Sequence, residues 1–240
     1  MTEGGFLKAA ERLQKRGALL NPRHGFYVVI PPQYRSWKAP PPSFYIDDLM
    51  RHEARSYYVG LLKAAELHGA THHAVMEFQV VTDKQLPKIR AGRSIIAFYY
   101  RKDFASVSAH LSSHKTDTGT MKISTPELTA FDMLRYAHVV GGIDAIATVL
   151  SDLKEKLDGQ RLASLAPHME RAYVQRLGYL LERLDRADAA APLHDYLGLK
   201  RFPWTELQPQ SRKRGTPGPE PVEKNERWRV IVHRFPEIDE

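Results

Sequence analysis

The sequence contains no cysteine. Structural disulfides, zinc sites built on thiolates and cysteine nucleophiles are therefore excluded. It also contains no uninterrupted apolar run close to the roughly 18 residues that a membrane-spanning helix needs, and residues 1–17 hold no apolar stretch of signal-peptide length. These absences predict a cytoplasmic protein with no membrane partner.

Motifs for common enzymatic chemistry are missing as well. Neither Ser56 nor Ser124 stands in a GxSxG motif, and the sequence has no glycine-rich phosphate-binding loop. No internal repeat is found. The sequence therefore predicts a protein that is not an enzyme and that binds no cofactor.

Positive charge is concentrated at the beginning of the sequence. Hydrophobic residues make up 42%, which is enough for a sizeable core, and the net charge is +7. The first 40 residues hold seven basic and two acidic side chains, so this segment alone carries +5. A basic segment on a nearly neutral body indicates a polyanionic partner, with nucleic acid ahead of an anionic membrane. A solvated basic helix face is the alternative explanation.

The basic segment has the pattern of a helix followed by a hairpin. Apolar residues recur at helical spacing over residues 4–16, and Gly17 is placed to end that helix. Strand-like runs at residues 18–20 and 26–30 then flank the turn sequence NPRHG. A basic helix that leads into a hairpin with a basic tip is the arrangement of the recognition helix and wing in a winged helix-turn-helix.

Prolines divide the sequence into two predicted domains. They cluster over residues 31–42, where they indicate a stiff linker. We therefore predict a partial winged helix with this linker at residues 1–42 and a larger domain at residues 43–240. The alternation of strand and helix patterns in the larger domain predicts a mixed α/β fold, with a mixed sheet followed by a run of helices.

The larger domain opens with two predicted helices. Ser43 is placed to cap a helix that continues to about Glu53, and Ser56 to begin another that ends near Gly69. Three strand-like segments and a helical region of some 70 residues follow. The strands are predicted at residues 74–82, 94–101 and 120–124, the first long helix begins at the sequence STPE, and a glycine pair at 141–142 separates it from the next.

The end of the sequence predicts a loop and a strand. Residues 208–226 contain four prolines, two glycines and mixed charge, which is typical of a mobile loop. After it, Trp228, Val230 and Val232 alternate with other side chains, so we expect a late strand over residues 227–234 that returns to the sheet.

Seven blocks stand in order between about Arg12 and Leu184, and the terminal RWRVIVHR fits the same pattern. The blocks are RLQKRGALLNPRHGFYVVIPPQYR, APPPSFYIDDLMRH, YYVGLLKAAELHGATHH, FQVVTDK, MKISTPELTAFDMLRY, GGIDAIATVLSDL and RLGYLLERL. Together they resemble the AbiEi antitoxins of type IV toxin–antitoxin and abortive-infection systems.

The resemblance implies a DNA-binding regulator that represses its own operon. It also implies that the larger domain counteracts an AbiEii-type nucleotidyltransferase toxin in phage defence, without a stable complex between the two proteins. The expected DNA target is an operator with an inverted repeat, on which two chains form a dimer. The family's N-terminal module has helices before the one that matches residues 4–16, so within this module the resemblance covers only the recognition helix and wing.

The same resemblance implies a set of DNA-binding side chains. They belong to the helix that would enter a major groove, to the wing tip and to the linker. These residues are Lys8, Arg12, Lys15 and Arg16 on the helix, Arg23 and His24 at the tip, and Arg35 and Lys38 in the linker. Further basic residues of the larger domain either extend this surface or are simply solvated; they are Lys84, Lys88, Arg90 and Arg93.

Three closely spaced histidines are the candidates for a metal site. His68 and His72 are four residues apart and His73 follows, which invites a zinc interpretation. Gly69 interrupts the helix that would align them, and no carboxylate stands at ligand spacing. We therefore predict no metal site.

Two other functions remain as alternatives: a metal-dependent nuclease-like domain and a protein-interaction module without DNA binding. A nuclease needs carboxylates that converge on a metal ion. Glu77 and Asp83 share a face of one predicted strand but lie about 20 Å apart, too far to share an ion. The convergence would have to come from Asp103, Asp117 and Asp132.

Overall fold

A computed structural model describes residues 3–70, 75–198, 202–209 and 220–238. The chain divides into two compact units, each described separately below. The first contains residues 3–59, 75–104 and 112–123, and the second contains residues 60–70, 105–111 and the described residues from 124 onward. None of the described helices is both long and apolar enough to cross a membrane.

The first unit combines a helix and hairpin, a short helix and a six-stranded sheet. Its elements are helix α1 (Glu3–Lys15), strands β1 (Leu19–Arg23) and β2 (Phe26–Val29), helix α2 (Ile46–His52), and strands β3 (Tyr57–Val59), β4 (Glu77–Thr82), β5 (Ile89–Ala91), β6 (Ser94–Tyr100), β7 (Leu111–Thr116) and β8 (Gly119–Ser124).

Helix α1 ends at a left-handed glycine, as the sequence predicts. Gly17 has φ +66°, and the N–H groups of Gly17 and Ala18 donate to the carbonyl oxygens of Gln14 and Leu13, each at 2.9 Å. This pair of bonds is the Schellman arrangement, which requires a positive φ just after the helix. A residue with a Cβ would be strained at this position.

The hairpin beside α1 is longer than predicted. Strand β1 continues to Arg23, which pairs with Phe26, so that the tip is His24-Gly25. The pairing register shifts between Leu20 and Arg23. The Asn21 amide compensates for this irregularity, because its Nδ2 donates to the carbonyl oxygens of Arg23 at 2.8 Å and Phe26 at 2.9 Å.

The proline-rich segment packs as two 3-10 turns, Pro32–Trp37 and Pro42–Phe44. Gly92, between β5 and β6, lies against the first of them: it has φ +58°, and a Cβ built there would be 2.0 Å from the Trp37 carbonyl oxygen. Only glycine fits so close an approach. The domain boundary at residue 42 stays a prediction.

The six strands form a mixed sheet in the order β5-β6-β4-β3-β8-β7. Strand β4 runs parallel to β6 and β3 parallel to β8, whereas the β3–β4 and β5–β6 pairs are antiparallel. The predicted mixed α/β class, with a mixed sheet followed by helices, is confirmed.

The sequence-based assignment of residues 43–69 is partly wrong. Tyr57–Val59 is the fully buried strand β3, where we expected the start of a helix at Ser56. Three residues buried on both faces show no alternation that would distinguish a strand from a helix. Ser43 lies in a 3-10 turn, and α2 begins after Tyr45 without a side-chain cap.

The second unit is mainly helical and carries a small sheet. Its elements are α3 (Leu61–Leu67), α4 (Pro126–Arg135), α5 (Ala137–Val140), α6 (Gly142–Leu153), α7 (Gly159–Leu165), α8 (Arg171–Arg183) and α9 (Ala187–Gly198), with strands β9 (Thr205–Glu206), β10 (Glu223–Asn225) and β11 (Val230–Val232). Helix α4 is capped by the hydroxyl of Thr125, which accepts from the Leu128 N–H. The predicted break at the glycine pair is present, since Gly141 lies between α5 and α6 and α6 begins at Gly142, but the helix that starts at STPE already ends at Arg135.

The late strand does not return to the six-stranded sheet. It is β11, the middle strand of a separate sheet with the order β10-β11-β9. Strand β10 lies within the predicted loop 208–226, of which residues 210–219 fall outside the described residues. The reason is local packing: Trp228, just before β11, is fully buried against α8.

Helix α8 accepts this tryptophan because one of its residues has no side chain. A Cβ at Gly178 would lie 2.0 Å from the Trp228 ring. The amide Nε2 of Gln175 donates to the Trp228 carbonyl oxygen at 2.9 Å, and the hydroxyl of Tyr179 donates to Glu223 at 2.8 Å. These bonds fix the small sheet on the helix.

We expect Gly178→Ala to destabilise the protein by about 1–3 kcal/mol, because a methyl group there overlaps a rigid buried ring. Helix propensity alone would predict a gain of about 1 kcal/mol. Urea denaturation measures the change. Gly198→Ala in α9 is the control, since a Cβ there meets nothing within 4 Å. Equal stability of the two variants would show that Trp228 is not held as described.

Candidate nucleic-acid interface

The four basic residues of the first helical segment lie on one face. With about 100° of rotation per residue, Lys8, Arg12, Lys15 and Arg16 fall within an arc of about 100°. All four side chains are exposed. Ala10, which is 4% exposed and faces the hairpin, points in the opposite direction. Helix α1 therefore packs with its small apolar side and presents its cations to solvent.

One of these cations has an intramolecular partner. The Nζ of Lys15 lies 2.7 Å from a carboxylate oxygen of Glu11, one turn earlier. This hydrogen bond, followed by charge attraction, lowers the pKa of Glu11 and raises the pKa of Lys15. Both side chains are largely exposed, so the pair contributes little to stability and leaves Lys15 able to exchange its partner.

The helix rests on the hairpin through aromatic contact. The rings of Phe6 and Tyr27 meet edge to face with centroids 5.4 Å apart. Val28 of β2 and Ile30, which follows β2, are buried at 9% and 3% exposure. The orientation of the basic face therefore depends on where the hairpin is held.

Arg23, predicted to contact DNA at the wing tip, anchors the hairpin. Its Nη2 donates to the Pro87 carbonyl oxygen at 2.6 Å, and its Nε lies 3.1 Å from a carboxylate oxygen of Glu53. The guanidinium also lies 5.8 Å from the ring centroid of Phe98 on β6. Nothing in the sequence signals these partners, because they are 30 to 75 positions away.

The other tip residue remains available. The His24 side chain is exposed, while its carbonyl oxygen accepts a bond from Nε2 of His52 at 3.0 Å. The His52 ring also packs against Phe26, with centroids 5.4 Å apart. The tip is thus fixed through its backbone, with one imidazole directed to solvent.

The remaining predicted contacts lie on the first 3-10 turn. Arg35 is exposed within it, and Lys38 is exposed directly after it with φ +61°. The turn around Gly92 packs against this segment, which brings exposed Arg93 to the same part of the unit. Only the fold reveals this proximity, since the two segments are some 55 residues apart in sequence.

The carboxylates considered for a nuclease do not converge in the structure. Glu77 accepts from Lys88 at 2.6 Å and from the hydroxyl of Tyr99 at 3.3 Å. Burial, followed by the nearby charge of Glu77, raises the pKa of Tyr99 to about 12. Asp103 pairs with Arg101 at 3.3 Å. Within the described residues no three His, Asp or Glu side chains are arranged to hold a metal ion.

The histidine cluster has a structural contact at its first member. Nε2 of His68 donates to the Ser124 carbonyl oxygen at 2.8 Å. His72 and His73 lie outside the described residues.

Comparison with solved structures supports the fold. The crystal structure of the RV2827C protein from Mycobacterium tuberculosis superimposes with a TM-score of 0.62 at 16% identity. The match covers 94% of this chain and 78% of that one. At this identity the likeness concerns the fold alone. No curated protein matches the chain significantly.

A family comparison defines the class. The sequence pattern of the AbiEi antitoxin C-terminal domain matches residues 58–183, from β3 to the end of α8. The chain is thus an antitoxin of a toxin–antitoxin system. Since the matched region exceeds half of its length, the chain belongs to the AbiEi antitoxin family.

Replacing the anchor should loosen the hairpin. We expect Arg23→Gln to cost roughly 1 kcal/mol, because it removes a charged donor from the exposed Pro87 carbonyl oxygen and from the half-buried Glu53 carboxylate. Amide hydrogen exchange of β1 and β2 should accelerate accordingly. His24→Gln, at an exposed side chain one residue away, should change stability by less than about 0.5 kcal/mol. If both variants exchange alike, Arg23 is not the anchor.

Proposed function

We propose that the protein is a DNA-binding antitoxin that represses its own type IV toxin–antitoxin operon and counteracts an AbiEii-type nucleotidyltransferase toxin in phage defence. The observation that carries the DNA-binding part is the basic face of α1. Lys8, Arg12 and Arg16 form no ion pair within the described residues and are exposed side by side. Such a face is suited to the phosphates and base edges of a duplex.

The elements around α1 support a winged-helix mode of binding. In this mode α1 enters the major groove and the hairpin lies beside it, with His24 close to the phosphate backbone. Arg35 and Lys38 add backbone contacts from the 3-10 turn. Arg23 contributes by holding the hairpin, and its own contact with DNA stays a prediction.

Operator recognition is proposed to involve two chains. Winged-helix regulators bind paired half-sites, which corresponds to an inverted repeat in the DNA. We propose that toxin neutralisation belongs to the family-matched region and proceeds without a stable complex and without catalysis. The two activities would then depend on different residues of one chain.

Binding to DNA from upstream of the operon should be strongly salt-dependent. The double variant Arg12→Gln/Arg16→Gln, which neutralises two cations, should weaken affinity for DNA at least about tenfold at low salt. Because two phosphate contacts disappear, the slope of log K against log salt should also fall by about 2. Fluorescence anisotropy between about 50 and 200 mM salt measures both quantities.

The matched control is Lys102→Gln/Lys115→Gln, which removes two exposed charges from the same unit outside α1. This variant should bind nearly as the unmodified protein does. Binding that is flat across the salt range, or equal losses in both double variants, would contradict the role of α1.

Repression and neutralisation should separate genetically. We expect the Arg12→Gln/Arg16→Gln variant to lose repression of a promoter reporter yet still rescue growth when the neighbouring toxin gene is expressed. The reason is that α1 lies outside the matched region 58–183. Loss of rescue at an equal protein level would place the antitoxic activity on the DNA-binding surface. Rescue with copurification of the toxin would replace the proposed route by direct capture.

A further inference from the structure

The second unit contains a cavity of about 380 Å³ between its helices. Its walls come from the end of α4, from α5, from the first two turns of α6, from α8 and from residues 207–209. The size and the mixed lining are those of a small-molecule site. It lies in another unit from α1, so the proposed DNA-binding face does not account for it.

Arg176 places a fixed positive charge in this wall. The residue is only 9% exposed. Its Nε donates to the Glu206 carbonyl oxygen at 2.8 Å and its Nη2 to the Thr205 hydroxyl at 3.2 Å. Its Nη1 has no hydrogen bond to any residue in the described part of the chain. Two bonds therefore hold the guanidinium in place, while donor capacity remains for a ligand.

A second arginine and a tyrosine share the cavity with it. The guanidinium of Arg176 lies 5.8 Å from the ring centroid of Tyr173. Burial raises the pKa of Tyr173, and the positive charges of Arg135 and Arg176 partly oppose that rise. Arg135, at the end of α4, lines the same cavity.

Negative charge is absent from the lining itself. The cavity walls contain two arginines and a histidine but no carboxylate. The acidic groups in electrostatic reach are Glu170 and Glu206. The carboxylate of Glu206 lies 3.5 Å from Nε2 of His233 and is thus engaged elsewhere. The ionisable groups of the wall itself, apart from Tyr173, are therefore basic.

Apart from Gln208, the rest of the wall is apolar. Leu134, Ile143, Ile146 and Leu207 contribute to it, and all four are at most 4% exposed. We propose that this cavity binds a small molecule in which a phosphate or carboxylate is attached to an apolar or aromatic body. Arg176 would donate to the anion, Arg135 would add positive charge to the same wall, and the aliphatic side chains would cover the body.

The test uses phenyl phosphate and benzoate as probes on the full chain, followed by amide shifts in NMR. At least one of the two anions should cause saturable amide shifts around Gly142 and Tyr173. The expected Kd is on the order of 1 mM for ligands this small. Inorganic phosphate and phenol should each bind at least about tenfold more weakly, since each lacks one half of the recognised chemistry. Non-saturable shifts, or shifts confined to α1, would overturn the proposal.

Two pairs of variants locate the site. Arg135→Gln should weaken phenyl phosphate binding about tenfold, whereas Arg161→Gln, at an exposed arginine of the same unit outside the cavity, should not. Ala137→Glu places a carboxylate in the wall and should weaken binding more than the equally large Ala137→Gln. Unchanged affinity in Arg135→Gln together with equal effects at Ala137 would exclude the cavity as the binding site.

Discussion

The hydrogen bond and ion pair of Arg23 determine how this protein presents its positive charge. Through its contacts with Pro87, Glu53 and the Phe98 ring, this one guanidinium holds the hairpin against the rest of the first unit. Helix α1 is then placed by its packing on the hairpin, and the Schellman bonds at Gly17 fix where the helix ends. A basic helix without such support would be a mobile charged segment. With it, the cations occupy one defined face that can match a regular polyanion.

Much of this architecture could be predicted because the signals are local. The helical spacing of residues 4–16, Gly17, the STPE cap of α4 and the glycine pair before α6 each act within one or two turns of chain. The sequence-based predictions were wrong where tertiary packing decides which element forms. Strand β3 has only three residues and is buried on both faces, and β11 forms its own sheet because Trp228 needs the space that Gly178 leaves on α8.

The candidate site likewise combines features that are local in sequence with contacts that only the tertiary fold creates. The exposed face of α1 follows directly from periodicity, so four of the proposed contacts could be found from sequence. The engagement of Arg23 could not, since its partners come from α2 onward, and the same holds for the two arginines of the second-unit cavity. Arg135 and Arg176 are 41 residues apart and belong to different helices. The family match runs from β3 to α8, so the basic N-terminal segment and the antitoxin domain are distinct parts of the sequence.

The account rests on the basic face of α1 meeting DNA. Hydrogen–deuterium exchange of the full chain, with and without a duplex from upstream of the operon at low salt, tests this most directly. The account predicts slower exchange in peptides covering α1, the hairpin tip and the turn at Pro32–Trp37, reversed when salt is raised. Unchanged exchange in these peptides under conditions where DNA is bound would contradict it.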